Sequence, residues 1–515
     1  MRTLILALII TSAFAGLSGI PSDPEVDLRR PNVLFIVVDT LRADALGRGI
    51  TPHLDALSLS GVRFDEAFTH APLTLPAHTS LFTSRFPSET GVLTNGQAVG
   101  PALPLLGQHL ANRGYDALAA VSLATLWPLV AGCGVDRGFR IYDKGRRPVE
   151  RGHEVLPRVK RLLDGRDTSK PFFLFAHFSD PHEPYNCHGT AAHSAHVFID
   201  GAPAGAATTS EMSWWKRSLD LAPGTHTIRF SSAAPLKVRD VRVSADGSPL
   251  TLRFTAGAPL RAHANIAFEF DVAARVNDVD RAANAHQTVE VSVWLHDALG
   301  LEEIRRRYDL EVSAADRAIG ALLQDLERRG LADDTLIVLT ADHGEALGEH
   351  GQIGHVNTLY DEVLRVPLII HAPRRHDRRD LARNARRLVT HTDIAPTILE
   401  LLDIAPWGGM RGRSLLSDTS RRTLLAETHK PEAPRDLLCL RDSTTKLIYD
   451  PSADHFTCYD LRRDPAEQHD IYAARAGSLT SWEDQLRTHA ARAASAPTTR
   501  RDDGGHLAAL GYAGD

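Results

Sequence analysis

The chain has 515 residues, 43% hydrophobic and 24% charged, which excludes wholesale disorder and leaves room for one large α/β domain with additions. A net charge of −6 and a pI near 6.5 leave no basic surplus of the kind a nucleic-acid partner needs. The four cysteines, Cys133, Cys187, Cys439 and Cys458, include no C-x-x-C pair, so a compact zinc–thiolate site is excluded.

Residues 1–15 read as a secretory signal: Arg2 supplies the positive start, Leu4 to Ile10 the apolar core, and Ala13-Phe14-Ala15 a small-x-small cleavage site. The apolar run is too short for a comfortable span and no later stretch is long enough, so no stable membrane span is expected. A periplasmic or secreted location follows as an expectation.

From Pro31 strand-like and helix-like runs alternate. NVLFIVV is continuously apolar and β-branched, the pattern of a strand buried on both faces of a parallel sheet. HLDALSLSG and LLGQHLANRGY read as helices, ALAAVS and PFFLFAHFS as strands. Further on, SAADRAIGALLQDLERRG reads as a helix, followed by the strands TLIVLT and VPLIIHAP. This alternation predicts a doubly wound, mostly parallel α/β sheet in two parts, residues 31–188 and 300–426.

Between them, residues 189–299 change texture. HVFIDG, SLDLAPGTHTIRFS, KVRDVRVS, LTLRFTA, IAFEFDVAAR and TVEVSVWLH are short alternating strands separated by turn residues, which predicts an inserted all-β sandwich domain. Trp214 and Trp215 are expected in its core, with a carbohydrate-stacking platform as the alternative. Residues 427–515 read as a small C-terminal antiparallel subdomain and a helical tail. There Cys439 and Cys458 lie in strands flanking TKLIYD, which leaves a disulfide between them open.

Ligands of an open α/β sheet gather at the carboxyl ends of its strands. NVLFIVV runs into Asp39, and TLIVLT runs through Ala341 into Asp342, His343, Gly344 and Glu345. Two carboxylates brought to one sheet edge repel unless a cation lies between them, and Asp with His suits calcium, manganese or zinc. Thr74, in APLTLPAHTSLFTSRFP, stands at a helix start with Pro76 in the first turn, where the dipole favours an anion. Alone it reads as a plain N-cap; beside Asp39 and Asp342 it reads as a hydroxyl that a metal can activate.

PNVLFIVVDTLRADALG, TPHLDALSLSGVRFDEAF, TLPAHTSLFTSRFPSETGV, DPHEPY, TADHGEALGEHG, YDEVLRVPLII and HTDIAPTILELL occur in this order on both sides of the insertion, and LAALGY closes the chain. Together they resemble the sulfatase family of the alkaline-phosphatase superfamily. The resemblance implies an alkaline-phosphatase-like fold and a divalent metal ion at Asp39, Thr74, Asp342 and His343. It also implies that Thr74 takes the position of the Cys or Ser that becomes formylglycine, and that His182 contacts the ester or leaving group. His355 lies near the site, and His391 is expected to be structural.

The departures from the family pattern bear on function. The motif reads T-x-P-x-H, with His78 where the family has Arg; Thr40 stands in place of a second Asp; Ser122 and Ala124 replace Lys-x-His; and Val356 replaces a later lysine. The resemblance thus implies a hydrolase of sulfate or phosphate esters with Thr74 as nucleophile and His78, His182 and His355 around it. A threonine ester suits phosphoryl chemistry, so a phosphodiesterase or phosphotransferase is the alternative, and a decayed scaffold that binds a glycan is the other. The expected partner is an anionic ester, from a glycan or a cell-envelope component.

Overall fold

The computed structural model describes residues 30–495 except 129–133, 184, 186–193, 201, 209–214, 222–223, 246–247, 250–251, 257–262, 273–286, 298–300, 357, 374, 377, 418–422 and 430–434. For most of the inserted strands it describes the backbone alone. The signal-like residues 1–15, Cys133, Cys187, Trp214, the Trp215 side chain and LAALGY lie outside the described residues.

Seven strands form the main sheet: β1 (Asn32–Val38), β2 (Val62–Phe64), β3 (Asp116–Ala120), β4 (Ile141–Asp143), β5 (Phe172–Phe178), β6 (Thr335–Ala341) and β7 (Leu368–His371). Their order is β2-β7-β6-β1-β5-β3-β4. β6, β1, β5, β3 and β4 run parallel, while β7 pairs antiparallel with β6 and β2 antiparallel with β7. Every residue of β1, β5 and β6 is buried, as expected of central strands covered on both faces.

Helices cover this sheet, among them α1 (Pro52–Ser60), α2 (Thr74–Thr83), α3 (Gly152–Asp164) and α4 (Leu301–Arg328). The buried Ile304, Tyr308, Val312, Ala315, Ile319, Leu322 and Leu326 recur at helical spacing along α4 and make its inward stripe. Glu302 and Glu303 in its first turn and Arg328 in its last complement the helix dipole. Each fully buried aliphatic or aromatic side chain of the core stabilises by roughly 1.5–3 kcal/mol.

Among the described residues of the insertion, eight strands form one connected antiparallel sheet. The 22-residue strand Gly224–Ala245 joins its halves. Its first half pairs with Ser194–Ile199 and His263–Val272, its second with Gln287–Asp297, and the register shifts between them. The Tyr185 ring, ahead of the insertion, meets Tyr308 of α4, behind it, edge-on at 5.9 Å.

β8 (Leu424–Thr428), β9 (Leu437–Arg441), β10 (Thr445–Asp450) and β11 (His455–Asp460) form the C-terminal antiparallel sheet, followed by α5 (Thr480–Ser495). Cys439 on β9 faces Ile448 of β10, and Cys458 on β11 faces Leu447. Adjacent residues of β10 point to opposite faces, so the two cysteines do too. They sit in separate core clusters as buried free thiols, and the disulfide left open by the sequence is not formed.

Candidate active site

Val38 and Ala341, the last residues of β1 and β6, are register partners. Asp39 and Asp342 therefore leave the sheet side by side at its carboxyl edge. Thr40 then turns the chain with a φ of 59°, a left-handed conformation costly for a β-branched residue. Three bonds hold it there: its amide donates to Asp342 Oδ1 (3.2 Å), its hydroxyl to the Asp39 carbonyl (2.7 Å), and its carbonyl accepts the Tyr308 hydroxyl (2.8 Å).

Thr74 is the first residue of α2, and its Oγ1 donates to Asp39 Oδ2 across a long 3.5 Å. The helix end offers an anion less than the sequence suggested. The Leu75 amide donates to Asn95 Oδ1 (2.8 Å), Pro76 has no N–H, and Ala77 donates to the Leu73 carbonyl (3.0 Å). Charge at this spot must come from elsewhere.

His343 Nδ1 donates to the Gly344 carbonyl (3.0 Å), which leaves the Nε2 lone pair facing Asp39 Oδ1 at 3.8 Å and Asp342 Oδ2 at 3.6 Å. Next to this trio, His78 Nδ1 donates to the Thr74 carbonyl (2.7 Å) and lies 3.7 Å from Asp342 Oδ2. His177, on β5, has Nδ1 2.8 Å from Ser122 Oγ and Nε2 3.8 Å from Asp39 Oδ2. His182 donates Nδ1–H to the Glu183 carbonyl (2.8 Å), and His355 Nδ1 meets Glu345 Oε1 (3.1 Å). The His355 ring lies 4.3 Å from that of His343 and 5.3 Å from that of His182. His391 stands apart in a supporting place, donating from Nε2 to the Ala341 carbonyl at the end of β6 (2.9 Å).

Asp39, Thr74, His78, His177, Asp342 and His343 have no exposed surface, while His182 and His355 retain 3% and 4% and mark the mouth of the site. Burial, and then the negative charge of Asp342, push the Asp39 carboxyl up to about 7. Burial pushes Asp342 up to about 8 against the amides of His343 and Thr40. Burial lowers His343 and His182 to about 4 and His78 to about 3, and takes His177 well below the ordinary imidazole value. The imidazoles are thus neutral lone-pair donors at neutral pH.

Among the described residues, Asp39 Oδ1, Asp342 Oδ2 and Nε2 of His78, His177 and His343 have no hydrogen-bond partner. Asp39, Asp342 and His343 each bring a ligand atom within 4.8 Å of the others. Buried carboxylate and imidazole lone pairs that face one another with no donor between them fit a divalent cation. The structure thus brings together every predicted site residue. His177 was not foreseen: at the end of an apolar strand it reads as a core residue. The available signal was its place two residues short of Ser179-Asp180-Pro181-His182, on a strand ending at the same edge.

Of the positions where the resemblance implies cations, Ser122 bonds His177, Ala124 opens a short 3-10 turn, and Val356 lends its carbonyl to Thr428 Oγ1 (2.9 Å). No described helix is long and apolar enough to cross a membrane.

A family model described as sulfatase matches residues 31–404, and one described as N-sulphoglucosamine sulphohydrolase, C-terminal, matches residues 348–492. The chain is 23% identical to the N-acetylglucosamine-6-O-sulfatase of Bacteroides thetaiotaomicron, over 90% of this chain and 87% of that protein. It is 22% identical to the choline-sulfatase of Rhizobium meliloti, over 89% and 87%. The fold is similar to that of the phosphonate monoester hydrolase of Agrobacterium radiobacter, with a TM-score of 0.59 and 19% identity over 90% of this chain and 96% of that one.

Proposed function

Because the chain belongs to the sulfatase family, we propose that it is a hydrolase of anionic esters in which Thr74 is the nucleophile and a divalent cation is held by Asp39, Asp342 and His343. The observation that carries this reading is the Thr74 hydroxyl, buried and aimed at Asp39 beside that trio. When bound, the cation would lower the pKa of the hydroxyl and offset the charge of the substrate oxygens. It would be calcium, manganese or zinc.

The residues do the rest. Asp39 Oδ2 is the near acceptor for the Thr74 proton. Loss of that proton lets Oγ1 attack the phosphorus or sulfur, the bond to the leaving oxygen breaks, and an ester on Thr74 forms. Water then cleaves that ester and restores the hydroxyl. His182, neutral and at the mouth, holds a water by accepting its hydrogen bond, and that water hands a proton to the departing oxygen. His78 fixes the first turn of α2 through the Thr74 carbonyl and so positions the nucleophile.

A threonine ester has no hydrate from which to expel sulfate, so phosphate, phosphodiester or phosphonate esters are the favoured substrates, with sulfate esters second. The sulfated-glycan names among the relatives support an anionic glycan or cell-envelope ester as the natural class. The signal-like pattern of residues 1–15 supports a periplasmic or secreted location for the mature protein in this reading. The test is a panel of matched aryl sulfate, phosphate monoester, diester and phosphonate substrates, given to protein reloaded with calcium, manganese or zinc. Phosphorus-ester turnover that needs the cation supports the reading. Metal-bound protein that turns over none of the four sinks it in favour of a binding scaffold.

A further inference from the structure

Asp342 is shared. On one side it faces Asp39 and His343; on the other, His78, His177 and Asp342 also bring one ligand atom each within 4.8 Å of one another. Their geometry is that of a prepared pocket. His78 spends its Nδ1–H on the Thr74 carbonyl, which leaves the Nε2 lone pair without a hydrogen-bond partner among the described residues. His177 is held from behind by Ser122 Oγ, and its Nε2 is likewise unpartnered. The two rings meet edge-on at 5.0 Å, and all three side chains are fully buried. Such polar atoms are costly to bury without a partner.

We propose that His78, His177 and Asp342 bind a second divalent transition-metal ion, bridged through Asp342 to the one held by Asp39 and His343. Two imidazoles and one carboxylate suit zinc or a similar borderline ion and do not suit calcium. Ser122 is the partner that orients the His177 ring, as hydrogen bonds to ligating histidines commonly do.

The pocket explains two departures of the sequence together. His78 and Ser122 occupy positions where the resemblance implies Arg and Lys, and here those fixed cations are gone. Positive charge returns to the same spot as a bound ion, held by His78 directly and by Ser122 through His177. The inference rests on the trio of Asp39, Asp342 and His343 being a metal site, but it makes a separate count.

The test uses the full chain, stripped with a chelator, dialysed and loaded with zinc alone or calcium alone, with bound metal measured by plasma mass spectrometry. About two zinc equivalents are expected in the native protein and about one with calcium. His177→Ala and His78→Gln should each lose about one zinc, and His343→Ala should lose the other, with circular dichroism checking that each is folded. Zinc-edge absorption of the native protein supplies a readout that needs no variant: it should show a zinc neighbour at roughly 3.5–4 Å. One zinc in the native protein, lost with His343→Ala and kept with His177→Ala, would overturn this inference and leave the proposed function standing. Two zincs retained when both His78 and His177 are replaced would overturn it as well. No bound metal of either kind would overturn both.

Discussion

Gly344 has no room for a side chain: a methyl group on it would overlap the carbonyl oxygen of Glu362. The contact exists because the loop after β6 is stitched to the 361–364 turn, with the Gly344 amide on the Val363 carbonyl (2.8 Å) and the Glu345 amide on that of Glu362 (3.1 Å). Gly344→Ala must therefore push the loop carrying Asp342 and His343 off the turn. We expect a loss of about 1–3 kcal/mol in stability together with a fall in metal affinity. Denaturant unfolding and zinc titration would check it; native affinity in the variant would mean that the loop gives way without moving the ligands.

Thr74→Ala is expected to reduce turnover by about 10³-fold or more, because it removes the attacking oxygen itself. Its bond to Asp39 is long, so stability should change by less than about 1 kcal/mol. Thr74→Ser should keep part of the rate. Steady-state kinetics and thermal melts on the three proteins separate these effects, and undiminished turnover in the alanine variant would remove Thr74 from the reaction.

The 361–364 turn is itself anchored by a buried charge network. Lys446 Nζ contacts Asp361 Oδ1 (2.6 Å), Glu467 Oε1 (2.7 Å) and the Leu359 carbonyl (2.9 Å), and Arg441 adds a second contact to Asp361 (2.9 Å). Lys446→Met leaves two carboxylates without their shared cation and is expected to cost about 3–5 kcal/mol. Adding Glu467→Gln to that variant should recover part of the loss. Chemical denaturation of the single and double variants measures both.

His429 gives the stability a defined pH dependence. It is buried between Glu427 Oε2 (3.1 Å) and Asp436 Oδ1 (3.7 Å), and these carboxylates hold its pKa up to about 9 against the opposing effect of burial. A raised histidine contributes fully below its unfolded value of 6.5 and loses that contribution as pH rises through 9. Stability should fall by up to about 3 kcal/mol between those limits. His429→Gln should flatten that part of the curve, and unfolding free energies measured across it decide the matter.

The strands that lead to Asp39 and Asp342 were legible because NVLFIVV and TLIVLT have apolar cores and run on to acids, and a parallel pair must bring those acids together. Strand direction was less so: VPLII is as apolar as TLIVLT, yet β7 runs antiparallel, since direction depends on the connection and not on hydropathy. His177 escaped notice because a lone imidazole in PFFLFAHFS has the look of core, and the polar neighbours that mark it, Ser122 from the loop after β3, His78 from α2 and Asp39 after β1, come from separate parts of the chain. The cysteine pair stayed open for a related reason. Sequence put them on flanking strands, but facing direction follows from register, which places them on opposite sides of the sheet.

Tyr185, ahead of the insertion, touches Tyr308, behind it, and the Tyr308 hydroxyl is also what holds the strained Thr40. The seam through which the extra domain enters is thus already closed by the α/β layer on its own behalf. Such a junction works as a socket. A protein engineer can exchange or graft a module at that seam while the seven-stranded layer and its acids go on unedited.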